Sequence, residues 1–364
     1  MVQVVWRHGE RTPTHGYPND LYKEDYWEAP YGTLTKNGIK QQEKLGKRLR
    51  NMYIVSKKFI SKKYNPKEIQ VRSTQKNRTI ESAYANLRGF YNIKSSKKIP
   101  ILTDFFGIND IWYKGKSCPR LNVLINNRIK FIEKKVYNEN KNFICMLEKK
   151  SGFSKMSLNK ISDLYDILYI QKKLKKKMPK WLKKNIFRKL RKLACEVYKV
   201  IDGAASFGMK EDLEITKLYE GPLLKTILEY FQTKINDIKT KNIKFKYFPS
   251  YYNNNSSNKL KYVAYSVHDF TISGLFFSMG ISDFMENESL TMDFTATLFY
   301  ELYINKKNQF EIKLFFSRNY AKNIIDITNR IIGCKKKKIC LFKDFKKRIL
   351  KRIPTSIKKE CNYK

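Results

Sequence analysis

The 364-residue chain contains no run of about eighteen apolar residues, the length of hydrocarbon that a membrane-crossing helix needs. It has only three histidines, and none of its six cysteines falls in a CxxC pair, which removes the usual thiolate metal and redox spacings. Acidic residues are scarce: 33 Asp and Glu stand against 75 Lys and Arg, a formal net charge of +42. The sequence shows no internal repeat and no low-complexity segment beyond its Lys runs and the Asn-rich stretch 253–258. It also opens without a secretory leader, since an apolar strand-like run starts at Met1. We expect a signal peptide to be missing from this sequence.

What is present suffices for a folded protein. Hydrophobic residues make up 42% and aromatics 14%, with 24 Tyr and 23 Phe, far from the composition of disordered chains. The positive charge is nearly all Lys, densest at Lys172 to Lys177, Lys335 to Lys338 and Lys346 to Lys351, without interleaved stacking aromatics. That distribution argues for solvated faces and attraction of anionic substrates rather than nucleic-acid binding as the main function.

The pattern along the chain is α/β. Val2 to Trp6 and Ile69 to Val71 read as short buried strands, each followed by a polar turn and a helical repeat, the second capped by Ser73 or Thr74. Tyr262 to Val267 reads as a third strand, and Thr295 to Ile304 with Phe310 to Phe316 as a hairpin. Between them, from about residue 104 to 217, lie Lys-rich amphipathic helices with breaks near Gly152, Pro179 and Gly203. The expected architecture is a mixed central sheet flanked by helices, with a smaller inserted all-helical cap: core in 1–103, cap in 104–217, and core with a C-terminal tail in 218–364.

The chemistry gathers at strand ends, where α/β folds bind ligands. RHGERTP places Arg7, His8 and Arg11 after the first strand; Arg72 ends the second; His268 and Asp269 follow the third. Guanidiniums match phosphate oxygens as permanently charged donor forks. A neutral imidazole can attack phosphorus without first losing a proton, and a neighbouring carboxyl can protonate the departing alkoxide if it carries a proton, through acid pH or a raised pKa. Arg78, inside the second helix, reads as a structural ion-pair partner or, as the second choice, a further phosphate ligand, and Glu10 reads as a spacer. His15 reads as a solvated loop residue or, as the second choice, one that touches substrate, and Tyr17 and Asp20 as residues of the entrance.

RHGERTP, RSTQKNRT and HDFTIS together resemble the histidine acid phosphatase family, the acid phosphatase branch of the histidine phosphatase superfamily. The similarity extends through YGTLTKNGIKQQEKLGKRLRNMY, SCPRLN, DLYDIL, PKWL, GPLLKTILEYF and TLFYELY, nearly the whole chain. The resemblance implies an acid phosphatase acting on phosphate monoesters, with His8 as phosphorylated nucleophile and Asp269 as proton donor. Arg7, Arg11, Arg72 and His268 would hold the phosphate. It implies no metal or other cofactor, a secreted or lysosomal glycoprotein, and a homodimer. It pairs Cys118 with Cys361 and Cys334 with Cys340; Cys145 and Cys195, without counterparts in the family, would bridge each other. Asn77, Asn254, Asn255 and Asn287 fit the glycosylation pattern. The alternatives are a phytase-like or mutase member of the superfamily and a non-catalytic phosphate-binding relative.

Overall fold

The computed structural model describes residues 1–103, 118–239, 259–282, 292–334 and 339–361. Seven strands form one mixed sheet: β1 (Val2–Arg7), β2 (Ile69–Ser73), β3 (Leu102–Thr103), β4 (Tyr262–Val267), β5 (Thr297–Ile304), β6 (Phe310–Ser317) and β7 (Ile324–Asp326). Their order is β3-β2-β4-β1-β5-β6-β7. The first four run parallel; β5, β6 and β7 add an antiparallel wing. β1 is buried along its whole length, as expected of a strand covered on both faces.

The helices are α1 (Lys36–Arg50), α2 (Asn77–Tyr91), α3 (Pro119–Glu139), α4 (Lys141–Ser151), α5 (Leu158–Lys173), α6 (Lys184–Ile201), α7 (Leu213–Tyr219), α8 (Gly221–Lys239), α9 (Asp269–Ser278), α10 (Phe342–Ile349) and α11 (Ile357–Glu360). On one face of the sheet, Leu45 and Leu49 of α1 and Ala83, Leu87 and Phe90 of α2 pack on Val4, Trp6 and Val71. On the other, Leu224, Ile227 and Phe231 of α8 and Ile272 and Phe276 of α9 cover Val5, Val263 and Tyr265. Each such fully buried side chain stabilises the fold by about 1.5–3 kcal/mol relative to exposure. Neighbouring β1 residues thus serve different layers, the period of two that pins the strand's register.

Helices α3 to α6 build a separate apolar cluster around Ile132, Leu147, Leu164, Ile167, Leu190 and Val197. On α6 the buried positions Leu190, Leu193, Ala194, Val197 and Val200 fall at helical spacing on one stripe. α7 belongs elsewhere: its Ile215 and Leu218 pack with Leu121 around the Cys118–Cys361 disulfide, which ties the start of α3 to the C-terminal segment across 243 residues. Cys334 and Cys340 form the second bridge.

Two expectations need correction. Cys145 and Cys195 are free thiols: Cys145 is exposed on α4 beside the Tyr137 hydroxyl, whereas Cys195 is partly covered on α6 and burial pushes its thiol up. The α2 helix is not capped by Ser73 or Thr74, because it begins later, at Asn77, and Thr74 turns its hydroxyl to Thr79 and His268. The short outer strands β3 and β7 carry too few residues to show a period. Asn77 is exposed; Asn254, Asn255, Asn287 and Lys335 to Lys338 lie outside the described residues.

Candidate active site

β1 and β4 are in parallel register with Arg7 opposite Val267, so His8 and His268 leave adjacent strands at one level. Their rings meet edge to face, 5.5 Å between centroids. His8 is held through its backbone: its N–H donates to Val267 O at 2.9 Å, and its carbonyl accepts from Thr295 N at 3.2 Å. The next residue must be glycine. A Cβ on Gly9 would stand 2.3 Å from Gly38 O, and one on Gly38 would stand 2.1 Å from Glu10 O, so the loop after β1 sits directly on the start of α1. Glu10 turns away from the histidines and accepts from Thr35 Oγ1 and Asn37 Nδ2, a structural role.

Hydrogen bonding fixes the state of both imidazoles. His8 Nδ1 lies 2.8 Å from Gly9 O; a carbonyl only accepts, so Nδ1 carries the proton and Nε2 keeps a lone pair. Burial, followed by the charges of Arg7 and Arg11, lowers the His8 pKa well below its usual value. His8 is therefore neutral, with one nucleophilic nitrogen. At His268, the Arg78 guanidinium donates to Nδ1 at 3.4 Å, so Nε2 carries the proton and donates to Thr74 Oγ1 at 3.0 Å. Phe270 stacks on that ring, 4.8 Å away and 18° from parallel.

Three guanidiniums converge on the pair. Arg7 donates to Asp269 Oδ2 at 2.7 Å and Met292 O at 2.9 Å, over the Phe294 ring. Arg11 donates to Thr12 O and, at 3.1 Å, to Asp166 Oδ2. Arg78 enters from the first turn of α2; burial and the neighbouring charge of Arg11 push it down to about 10. The Nε atoms of Arg7, Arg11 and Arg78 are all buried without a hydrogen-bond partner. Such donors are costly to leave unmade, and an anion's oxygens would satisfy them.

Arg72 lies near the end of β2, as expected, but further back than the other arginines. It pairs with Tyr265, three residues before His268, which at about 3.3 Å per residue leaves its Cα roughly 10 Å short of the strand end. The alternation of β2 turns it away from Val71, which packs with α1 and α2. Gln70, two residues earlier, bonds Tyr230 of α8. Arg78, for which a further phosphate ligand is the second choice after a structural pair, stands beside His268 as the third guanidinium.

Asp269 opens α9, its side chain still 38% exposed. Burial pushes the carboxyl up, but Arg7, Arg11 and the Phe270 N–H overrule it and hold it at about 2. Of the two routes to a protonated carboxyl, acid pH and a raised pKa, the second is absent here: the ion pair with Arg7 keeps Asp269 charged.

The cap meets this site through one stripe of α5. Asp163 lies 4.0 Å from His15, Asp166 binds Arg11, Tyr169 donates to Asp293 at 2.8 Å and Lys173 donates to Asp293 at 2.9 Å. Asp293 also accepts from Arg318 and Asn319, which fastens the segment that carries Phe294 beside His8. Of the residues on this stripe, neither Asp163 nor Asp166 had drawn attention in the sequence; both lay within DLYDIL without any mark of a role. Tyr17 and Asp20 do not line an entrance. Tyr17 is buried in the cap cluster, and Asp20 accepts from Gln171 of α5 and from Tyr22 N. Among the described residues no group of three or more His, Cys, Asp or Glu is placed to hold a metal ion, and no helix is long and apolar enough to cross a membrane.

The family model for the histidine phosphatase superfamily (branch 2) matches residues 1–317. A lysosomal acid phosphatase of Xenopus laevis is 28% identical over 373 residues, covering 99% of this chain and 78% of that protein. The human prostatic acid phosphatase is 28% identical over 321 residues, 85% of this chain and 75% of the relative. Among solved structures, the Citrobacter braakii phytase aligns over 100% of this chain and 99% of its own with a TM-score of 0.68 at 16% identity. The Hafnia alvei phytase in complex with myo-inositol hexakis sulphate gives 0.69 at 15%, over 98% and 97%. These structures share the fold.

Proposed function

Since the chain belongs to branch 2 of the histidine phosphatase superfamily, we propose that it is an acid phosphatase that hydrolyses phosphate monoesters through a phosphohistidine on His8. The single observation carrying this reading is the His8 hydrogen bond to Gly9 O, which leaves a neutral ring with its lone pair on Nε2 amid three arginines. The ester's phosphate lies among Arg7, Arg11, Arg78 and His268, taking the three unpaired Nε–H donors. Nε2 attacks phosphorus, the P–O bond to the alcohol breaks, and the leaving oxygen takes the proton of Asp269. Water then attacks the phosphohistidine, gives a proton back to the Asp269 carboxylate, and releases inorganic phosphate and free His8. Charge spread over the transferring phosphoryl oxygens is what the guanidiniums stabilise.

Asp269 must be protonated for the first step, although the Arg7 ion pair holds it at about 2. The substrate supplies the correction. A bound phosphate competes for Arg7 and adds negative charge nearby, and both effects raise the carboxyl's pKa; acid medium completes the protonation. The two disulfides and the lysosomal relatives support residence in a lysosomal or secreted, oxidising compartment. Assembly as a homodimer belongs to the same reading and is tested by sedimentation.

The decisive experiment is brief exposure to an aryl ester carrying labelled phosphate, at mildly acidic pH, followed by quenching. Acid-labile label on the wild type and none on His8→Ala is the expected result. Full turnover by His8→Ala would overturn the nucleophile assignment, tight phosphate binding without turnover by the wild type would favour a binding protein, and a strong preference for inositol hexakisphosphate would favour a phytase.

A further inference from the structure

The cap shows the pocket a charge opposite to that of the chain as a whole. Asp163 and Asp166, one turn apart on α5, face His15 and Arg11, and their side chains are 49% and 22% exposed against 7% for Arg11. They therefore step from solvent inward to the phosphate-binding cluster. Asp166 also acts on the charges of Arg7 and Arg78, so its field reaches all three guanidiniums. Of the lysines at and just beyond the end of the same helix, Lys172 lies over Phe187, Lys173 is neutralised at the site's edge by Asp293, and Lys176 sits over Tyr26 and Trp27. Beside the two carboxylates the same helix carries aromatic rings, Tyr165 and Tyr169 in contact and Tyr169 against Phe294.

We propose that Asp166, supported by Asp163, determines which esters the site takes: monoesters whose alcohol part is neutral or cationic, against those bearing further phosphate or carboxylate groups. The inference rests on the phosphatase reading and adds the substrate class. A carboxylate at the rim leaves the reacting phosphate its arginines but repels a second anionic group on the same molecule, which would meet Asp166 and Asp163 before reaching any free cation. It also attracts a cation on the leaving group.

The test uses two phosphotyrosine peptides, one flanked by lysines and one by glutamates, with non-hydrolysable phosphonate analogues of both for direct binding. The wild type is expected to prefer the lysine-flanked peptide by about fivefold or more, in kcat/KM and in phosphonate affinity. Asp166→Asn should bring that ratio close to one, Asp163→Asn should reduce it less, and Asp166→Glu should keep it. A wild type that favours the glutamate-flanked peptide overturns the proposal. So does an unchanged ratio in Asp166→Asn with both peptides equally impaired, since Asp166 would then merely position Arg11. Should the wild type cleave neither peptide while the phosphonates keep the expected order and its dependence on Asp166, the phosphatase reading fails and the charge selection stands.

Discussion

The strand-end cluster and the helical cap are built by opposite means. At the strand ends, backbone register does the placing: Arg7 opposite Val267 delivers two histidines side by side, and the contact of Gly9 with Gly38 locks the loop that follows. In the cap, side chains project from a helix whose own core lies on its other face, and the stripe Asp163, Asp166, Tyr169 and Lys173 reaches the site. The lesson is a division of labour. Geometry fixed by the backbone suits chemistry that tolerates little misplacement, whereas a surface stripe can change residue by residue without disturbing the sheet.

The sharpest way to break this comparison is at the arginines. Arg78→Ala should lower kcat/KM about 10²–10³-fold, the usual effect of losing one preorganised donor to a developing charge, while Arg72→Ala should cost less than about tenfold. Steady-state kinetics on a simple aryl phosphate decides it. If Arg72→Ala proves as damaging as Arg78→Ala, the strand position opposite Tyr265 feeds the site after all, and the register argument is wrong.

That pair of residues also marks where the sequence stopped being legible. The α/β core, the hairpin and the two histidines could be read because each motif is contiguous and follows a run of buried residues. Arg72 attracted the assignment because it ends an apolar run, and Arg78 was set aside because it lies inside a helix. Yet the turn from Ser73 to Lys76 carries the chain past the strand end, so the first helical turn faces His268 and the strand residue stays behind. The cap was visible as helices and no further. Apolar spacing on α5 tells which face is buried, but its polar residues carry no mark of which ones turn toward the core and which toward solvent.

The next largest effect concerns the cap's independence. Leu168 is fully buried among the cap helices, and Leu168→Ala should destabilise the protein by about 2–5 kcal/mol, read from urea unfolding. If the cap is an accessory to the core, kcat on a small aryl ester should fall far less than in Arg78→Ala. A collapse of kcat in a variant that remains folded under assay conditions would show that the strand-end geometry depends on cap packing.

Acid separates the two regions again, through the site's own titrations. His8 is held below its usual value of 6.5, so the unfolded chain takes up a proton that the folded one refuses, and this share of stability is lost as pH falls below about 6.5. Asp269, held at about 2 against a usual 3.8, adds stability that is present above its usual value and lost between about 4 and 2. Thermal midpoints should therefore fall with pH from neutrality downward. His8→Asn should flatten the upper part of that slope and Asp269→Asn the lower. Inorganic phosphate should raise the midpoint in acid by binding the folded site, and no such rise in the wild type would count against an anion site at the strand ends.

The smallest effect falls on the cap's two thiols. Cys145 is exposed and Cys195 partly covered, with burial keeping the Cys195 thiol protonated; the thiolate is the reactive form. Alkylation without reductant should label Cys145 quickly, Cys195 slowly, and none of the four bridged cysteines. Cys145→Ser should change stability by less than about 0.5 kcal/mol, as for other exposed positions. A native protein in which neither thiol reacts would reveal a bridge between α4 and α6. The cap would then be covalently braced like the tail, where Cys118 and Cys361 already join segments 243 residues apart, and its freedom relative to the strand-end cluster would have to be reconsidered.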